Sequence, residues 1–241
     1  MARICLDRPP LNVLDIASLG RLNQALRDCD KPAVGVVLLT SAVPRAFSAG
    51  VDVRDHLAER LDRMLAEVRE NARLLLGLEP LTVAAIHGST LGGGAEIALL
   101  CDLVIAADDT QVGFPEIGLA AFPPVAAACL LELCPPAIAM RLLLGESLQA
   151  AELERAGLVS RVVPRPQLEE AAEQLAAGLA ARSRVALRAL TSATRGQRAA
   201  GLLRRLDAAI ATYKATVGPS RDADEGIHAF LEKRAAAWSH R

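Results

Sequence analysis

Aromatic side chains are nearly missing from this chain, which has one Trp, one Tyr and four Phe among 241 residues. A single-strand nucleic-acid binder needs stacking aromatics and a positive field. The chain has neither: 27 Lys and Arg stand against 28 Asp and Glu, a formal net charge of −1. The five cysteines, Cys5, Cys29, Cys101, Cys129 and Cys134, are odd in number and follow no metal-ligand spacing. Three of them sit in apolar surroundings, where a reduced buried thiol is expected. No window approaches the ~18 uninterrupted apolar residues of a membrane span. After Met1-Ala2-Arg3 the apolar run is too short, before Asp7 and Arg8, to expect a signal peptide. The expectation is a cytoplasmic, reducing setting with neither nucleic acid nor membrane as partner.

Core material is abundant, at 52% hydrophobic residues. With few aromatics, Leu, Val, Ile and Ala must fill the core, and the length suits one large domain or a domain with a helical appendage. Ile4 to Leu6 reads as a short strand stopped by Pro9-Pro10. Ile16, Leu19, Leu22 and Leu26 recur at helical spacing, and 35–40 is an apolar run suited to a strand covered on both faces. That order, strand then helix then strand, argues for a right-handed crossover. The segment 41–56 has little periodicity, and Ala49-Gly50-Val51 is small enough for a ligand to approach the backbone. A helix is predicted over 57–76 with Leu61, Met64, Leu65, Val68 and Leu75 inward and Gly77 as its stop. Further strands are predicted at 81–86, 103–106 and 158–163, with a short helix at 149–156 between the last two. From Pro166 the texture becomes Ala/Leu/Arg-rich and helical, with segments at 168–181, 185–195, 202–217 and 223–238. The division predicted is a β/α core over 1–165 and a helical region over 166–241.

The stretch with the strongest chemical signal is 84–119. After the predicted strand 81–86 and a turn, Gly92, Gly93 and Gly94 open an apolar helix that carries one carboxylate, Glu96. The phosphate-binding patterns G-x-G-x-x-G and G-K-S/T are both absent. What remains is a tight turn with bare amides, suited to a developing oxyanion. Glu96 is surrounded in sequence by Ala, Ile, Leu and Cys, so its charge is costly unless paired or used; the simple alternative is a partner for the helix dipole. Glu116 follows Pro115 in a turn. Two such carboxyls can share proton transfers beside a carbonyl. The histidines are scattered, and neither Ser48 nor Ser89 lies in a G-x-S-x-G elbow, which argues against a hydrolytic triad. Asp102, Asp108 and Asp109 read as solvated loop or cap residues.

The pairing of AFSAGVDV (46–53) with AAIHGSTLGGGAEIALLCDLVIAADDTQVGFPEIGL (84–119) resembles the crotonase, or enoyl-CoA hydratase/isomerase, family. Supporting matches are RPPLN (8–12), AELERAGLVSRVV (151–163) and EGIHAFLEKRAAAW (225–238). The resemblance implies an α/β fold with a ββα spiral core and a C-terminal helical region serving oligomerisation and active-site cover, assembled as a homotrimer or dimer of trimers. It implies an acyl-CoA thioester as substrate, with no cofactor beyond the coenzyme A in it and no metal. The oxyanion-hole amides map to Val51 and Gly93, and the hydratases' two acids both land on Glu, at Glu96 and Glu116. Substrate contacts map to Ala49, Val51, Asp52, Val53, Arg54, Leu91, Gly92, Pro115 and Leu119. The expected activity is water addition to an α,β-unsaturated thioester whose acyl group is a cyclic diene. The alternatives are an ordinary 2-enoyl-CoA hydratase, an enoyl-CoA isomerase and a non-catalytic acyl-CoA-binding subunit.

Where simple hydratases carry a Gly-rich I-P-G-x-G-G-T segment, this chain reads LAAFPPVAA (119–127). With PLNVLD (10–15) and VDVRDH (51–56), that resembles the branch hydrating cyclohexa-1,5-diene-1-carbonyl-CoA in benzoyl-CoA-dependent aromatic degradation. Gly118 departs from that branch, where a basic residue is common.

Overall fold

The structure, a computed structural model, describes residues 1–241 apart from the side chain of Gln197. Strand β1 (Ala2–Leu6) and helix α1 (Ile16–Cys29) lead into a strand–strand–helix unit that repeats. Its first turn is β2 (Val36–Ser41), β3 (Ala46–Ser48) and α2 (Ala58–Gly77). Its second is β4 (Leu81–Ile86), β5 (Ser89–Leu91) and α3 (Gly93–Leu99), and its third β6 (Leu103–Ala107), β7 (Gln111–Gly113) and α4 (Pro124–Leu133). Helix α5 (Pro136–Leu143), β8 (Ser147–Gln149), α6 (Ala150–Arg155) and β9 (Arg161–Val163) follow. Helices α7 (Leu168–Ala180), α8 (Arg184–Thr212) and α9 (Arg221–Glu232) end the chain.

Each turn of the spiral adds one strand to each of two sheets. The larger sheet is parallel, in the order β1-β2-β4-β6-β9. The smaller runs β3-β5-β7 in parallel, with β8 antiparallel at its edge. This is the α/β ββα spiral with C-terminal helices that the resemblance implies. The continuous apolar runs of β2 and β4 have a direct cause, because the larger sheet is covered on both faces. Val37, Leu39, Ala84 and Ile86 join the main core with Phe47 and Phe114. Their neighbours Val36, Leu38, Val83 and Ala85 face a second cluster built with Leu168, Ala172 and Ala176 of α7. Helix α7 therefore completes the sandwich around the sheet, while α8 packs on α2 and α4.

Two elements differ from the sequence reading. The periodic segments 185–195 and 202–217 are one helix, α8, continued by a π-type turn over Tyr213–Val217. Gly196 and Gly201 do not break it, since burial of Leu187, Leu202 and Leu206 outweighs a glycine cost of ~1 kcal/mol each. The segment 41–56, read as an irregular connection, contains β3 and a 3₁₀ helix over Val53–His56. Pairing with β5, rather than its own periodicity, makes 46–48 a strand.

Asp102 is not the solvated residue expected. Its Oδ1 accepts from Arg195 Nε at 2.7 Å, and its Oδ2 pairs with Arg195 Nη2 while accepting from the Thr82 amide at 2.7 Å. Arg195 also donates to the carbonyl oxygens of Leu78 and Pro80. The guanidinium, only 8% exposed, thereby ties α8 to the β4 end of the larger sheet. Removing one partner of a buried pair strands the other charge. Asp102→Ala is expected to cost ~3 kcal/mol in urea unfolding, the low end for such pairs because Asp102 is partly solvated. The double variant Asp102→Leu/Arg195→Met is expected to recover part of that loss, by the same measurement.

Candidate active site

The site begins with a clamp on the segment after β3. Asn12 is fully buried, and its side-chain amide donates to Ser41 Oγ at 2.8 Å and to the Phe47 carbonyl at 2.9 Å. Ser48 Oγ donates to the Asn12 carbonyl at 2.7 Å and accepts from the Gly50 amide at 3.1 Å. On the next step Leu14 N donates to the Gly50 carbonyl and Asp52 N to the Leu14 carbonyl, at 2.8 and 3.0 Å. Val51 sits between those two bonds, and its own N–H donates to no protein acceptor among the described residues. The same holds for Gly93 N–H at the first position of α3, where a helix has no acceptor of its own.

These two bare amides are neighbours because the backbones touch. A Cβ on Gly93 would lie 2.7 Å from Val51 Cγ2 and 3.6 Å from Val51 N. Gly92 has φ +49°, and a Cβ there would lie 2.5 Å from Glu116 Oε1. Any side chain at 92 would therefore displace the second carboxyl, and any side chain at 93 would collide with the Val51 side chain.

Glu96, 4% exposed, points away from its own helix start. Its Oε1 accepts from the amides of Val125 and Ala126, at 2.8 and 2.9 Å, in the first turn of α4. Pro124 opens that helix, a position where its missing N–H costs nothing. The Phe122-Pro123-Pro124 segment thus aims free helix amides at a carboxylate buried in the core. The alternative of a dipole partner for Glu96's own helix does not hold, since the donors come from the next one. Burial pushes the Glu96 carboxyl up to about 7, against the pull of the two amides. Glu116 lies in a 3₁₀ turn over Pro115–Leu119 that closes on Ala120 in the left-handed region, φ 53°. The residue is half-buried, but its Oε2 is fully buried without a protein partner. Burial and then the neighbouring Glu96 charge push it up to about 8. The repulsion acts on both groups, so the pair retains a proton through neutral pH.

Val51, Gly93, Glu96 and Glu116 line one narrow cleft with His56, Met64, Val68, Phe122, Pro124 and Tyr213. Val51, Gly93 and Glu96 also border an adjoining small recess reaching Asn71 and Val125. Leu119 lines a neighbouring cavity with His56 and Tyr213, and Gly92 lies under Glu116. Other residues mapped as substrate contacts are not part of the cleft wall. Asp52 caps the 3₁₀ helix through the Arg54 amide at 3.0 Å, and the Arg54 side chain is 65% exposed. Ala49 and Leu91 serve the clamp, through the Ala49 N–H to Leu11 and the Leu91 carbonyl packed on Gly50. Val53 lies in the 3₁₀ helix and Pro115 opens the turn of Glu116.

Sequence reasoning missed His56, Phe122 and Tyr213 as wall residues. Of these, Tyr213 offered one signal, as the single tyrosine of a chain poor in aromatics. Burial lowers the His56 proton affinity, so the ring facing the cleft is neutral near pH 7.

A family model described as enoyl-CoA hydratase/isomerase matches residues 1–241. Cyclohexa-1,5-dienecarbonyl-CoA hydratase of Thauera aromatica is 34% identical over 247 residues, spanning 100% of this chain and 93% of that protein. A probable enoyl-CoA hydratase of Mycobacterium bovis is 36% identical over 251 residues, spanning 99% and 94%. The crystal structure of an enoyl-CoA hydratase from Mycobacterium avium subsp. paratuberculosis K-10 matches with a TM-score of 0.86 at 27% identity, over 98% of this chain and 94% of that one. The chain belongs to the enoyl-CoA hydratase/isomerase family.

Both carboxyls bind their protons more tightly in the folded protein than in the unfolded chain, whose value is 4.5. Stability from this source is complete at low pH and is lost as pH rises through about 7 and about 8. The loss has a limiting slope of ~1.4 kcal/mol per pH unit per group. Urea midpoints are expected to fall between about pH 5 and about pH 8, and Glu116→Gln is expected to flatten that fall. An equal slope in the variant would show that the folded protein does not raise Glu116.

Proposed function

We propose that the protein is an acyl-CoA hydratase, a hydro-lyase that adds water across the α,β double bond of a CoA thioester, the acyl group being a cyclic diene. The observation that carries the reading is the meeting of two free amides and two raised carboxyls in a single apolar cleft. The amides of Val51 and Gly93 receive the thioester oxygen, where enolate-like charge grows. Preorganised donors of this kind lower a barrier by ~3–4 kcal/mol each. Glu96, its Oε1 occupied by the α4 amides, presents the other oxygen to a water and takes a proton from it as the C–O bond forms at the β-carbon. Glu116 gives its proton to the α-carbon. The roles reverse in dehydration.

The chemistry moves protons and water only, so coenzyme A enters as part of the substrate and no further cofactor is called for. The cyclic acyl group is supported by the Thauera aromatica relative and by the Phe122-Pro123-Pro124 segment. A flat ring also suits a wall of Val68, Phe122 and Tyr213. Participation in aromatic-acid degradation and a cytoplasmic location belong to the same reading. So does assembly as a homotrimer or dimer of trimers, supported by the exposed apolar side chains of Ile117, Met140 and Leu144. Among the described residues no helix is long and apolar enough to cross a membrane.

Loss of thioester-conjugated absorbance on adding cyclohexa-1,5-diene-1-carbonyl-CoA, with incorporation of labelled water oxygen, is the expected result. Preference for a linear 2-enoyl-CoA would correct the acyl group, and double-bond migration without label would make the protein an isomerase. Glu96→Gln and Glu116→Gln are each expected to lower kcat by ~10²–10⁴-fold while CoA-ester affinity is kept. Unchanged turnover in both would defeat the mechanism, and binding without turnover in the wild type would leave an acyl-CoA-binding subunit. With Glu96 required free and Glu116 required protonated, kcat/KM should peak between about 7 and about 8.

A further inference from the structure

The mechanism above leaves one buried polar group of the cleft without a task. Tyr213, 3% exposed, lines the cleft beside Glu96 and Glu116. The hydroxyls on either side of it are used by their own helix. Thr212 Oγ1 donates to the Ala208 carbonyl at 3.0 Å and Thr216 Oγ1 to the Thr212 carbonyl at 2.7 Å. The Tyr213 hydroxyl has no such bond among the described residues, although a buried phenol normally finds a partner.

The backbone is locally rearranged to deliver this side chain. Regular α-helix ends at Thr212, and Gly218 N donates to the Tyr213 carbonyl at 2.9 Å, the wider spacing of a π turn. Such turns are rare and are frequently found at functional sites. A Cβ on Gly218 would lie 2.9 Å from Leu61 Cδ2, so the turn is pressed against α2. The phenol ring is fixed from the other side by Phe122, with centroids 5.1 Å apart and planes at 49°.

Two groups on the wall of one cleft therefore lack a protein hydrogen-bond partner among the described residues: the O–H of Tyr213, and Glu116 Oε2, the latter fully buried. Burial, and then the charges of Glu116 and Glu96, hold the phenol above its ordinary pKa. The group is thus a neutral donor throughout the working range. A small group carrying oxygen, able to accept from the phenol and to bond a carboxyl at once, answers both needs. In the proposed reaction that group is the water that attacks.

We propose that Tyr213 is a further substrate-binding and positioning residue, its O–H donating a hydrogen bond to the oxygen added at the β-carbon, first as water and then as the product hydroxyl. The phenol keeps its proton throughout. Glu96 takes the proton lost by water, the π electrons move toward the thioester oxygen, and Glu116 supplies the α-proton, so the sum is one water added. Tyr213 orients the lone pair of that water toward the β-carbon.

The inference rests on the hydration reading, and the test separates the two. Tyr213→Phe keeps the ring against Phe122, so its thermal midpoint is expected to stay within ~2 °C of wild type. Its kcat should fall by ~10-fold or more with KM changed by under ~3-fold. Affinity is then compared for two inhibitors, the saturated acyl-CoA and the β-hydroxyacyl-CoA. Only the second should weaken, by ~10-fold. A merely structural role for Tyr213 would move both affinities together. An active wild type whose variant binds both ligands in the original ratio overturns the Tyr213 assignment alone. A wild type that hydrates no enoyl thioester removes the hydration reading, and this assignment with it.

Discussion

The site depends on a close contact between the Gly93 backbone and Val51. Gly93 can stand against Val51 only because it has no Cβ to meet the Val51 side chain, and the contact brings two N–H groups side by side with no acceptor among the described residues. Hydrogen-bond donors normally find partners inside a protein, and donors held open carry a free-energy cost. Here the cost is held down by position: one amide lies at a helix start and the other between the two bonds that Leu14 makes with its neighbours. The clamp of Asn12 and Ser48 keeps the arrangement from relaxing. Preorganisation of this sort is what makes a dipole useful in a dry site, because nothing has to reorient as charge develops.

The carboxyls follow from the same packing. Glu96 is deep in the core, and among the described residues the amides opening α4 are the only donors its Oε1 meets. They moderate the desolvation without removing it, so the group sits near neutrality rather than far above it. Glu116 has no equivalent donor on Oε2 and feels the charge of Glu96, so it holds its proton more firmly. Identical side chains are thus given different proton affinities by what surrounds them. The difference comes from the second and third turns of the spiral, which deliver the two residues on successive layers.

Much of the candidate site was legible in the residues. Three consecutive glycines before an apolar helix leave few alternatives to a close approach. A lone carboxylate inside that helix needs either a partner or a role. The full matches at 46–53 and 84–119 then carried the fold. The smaller sheet was not legible, because strands of three residues, such as Ser89–Leu91 and Gln111–Gly113, are too short to show a period. Asp102 was misread for a related reason. Its partner, Arg195, lies far along the chain, and nothing local distinguishes a paired carboxylate from a solvated one.

By itself the sequence determined the alternation of strands and helices, the apolar faces of α1 and α2, the glycine turn and the two acids. Each is a local property, set by periodicity, by the absence of a Cβ or by a charge among apolar neighbours. Only the tertiary structure decided what faces what. It set the Val51 and Gly93 amides side by side, chose α4 as the donor for Glu96, ran α8 unbroken through its glycines and brought Tyr213 to the cleft. The physical reason is that those outcomes are settled by packing and desolvation between segments remote in sequence. No periodicity within either partner records them.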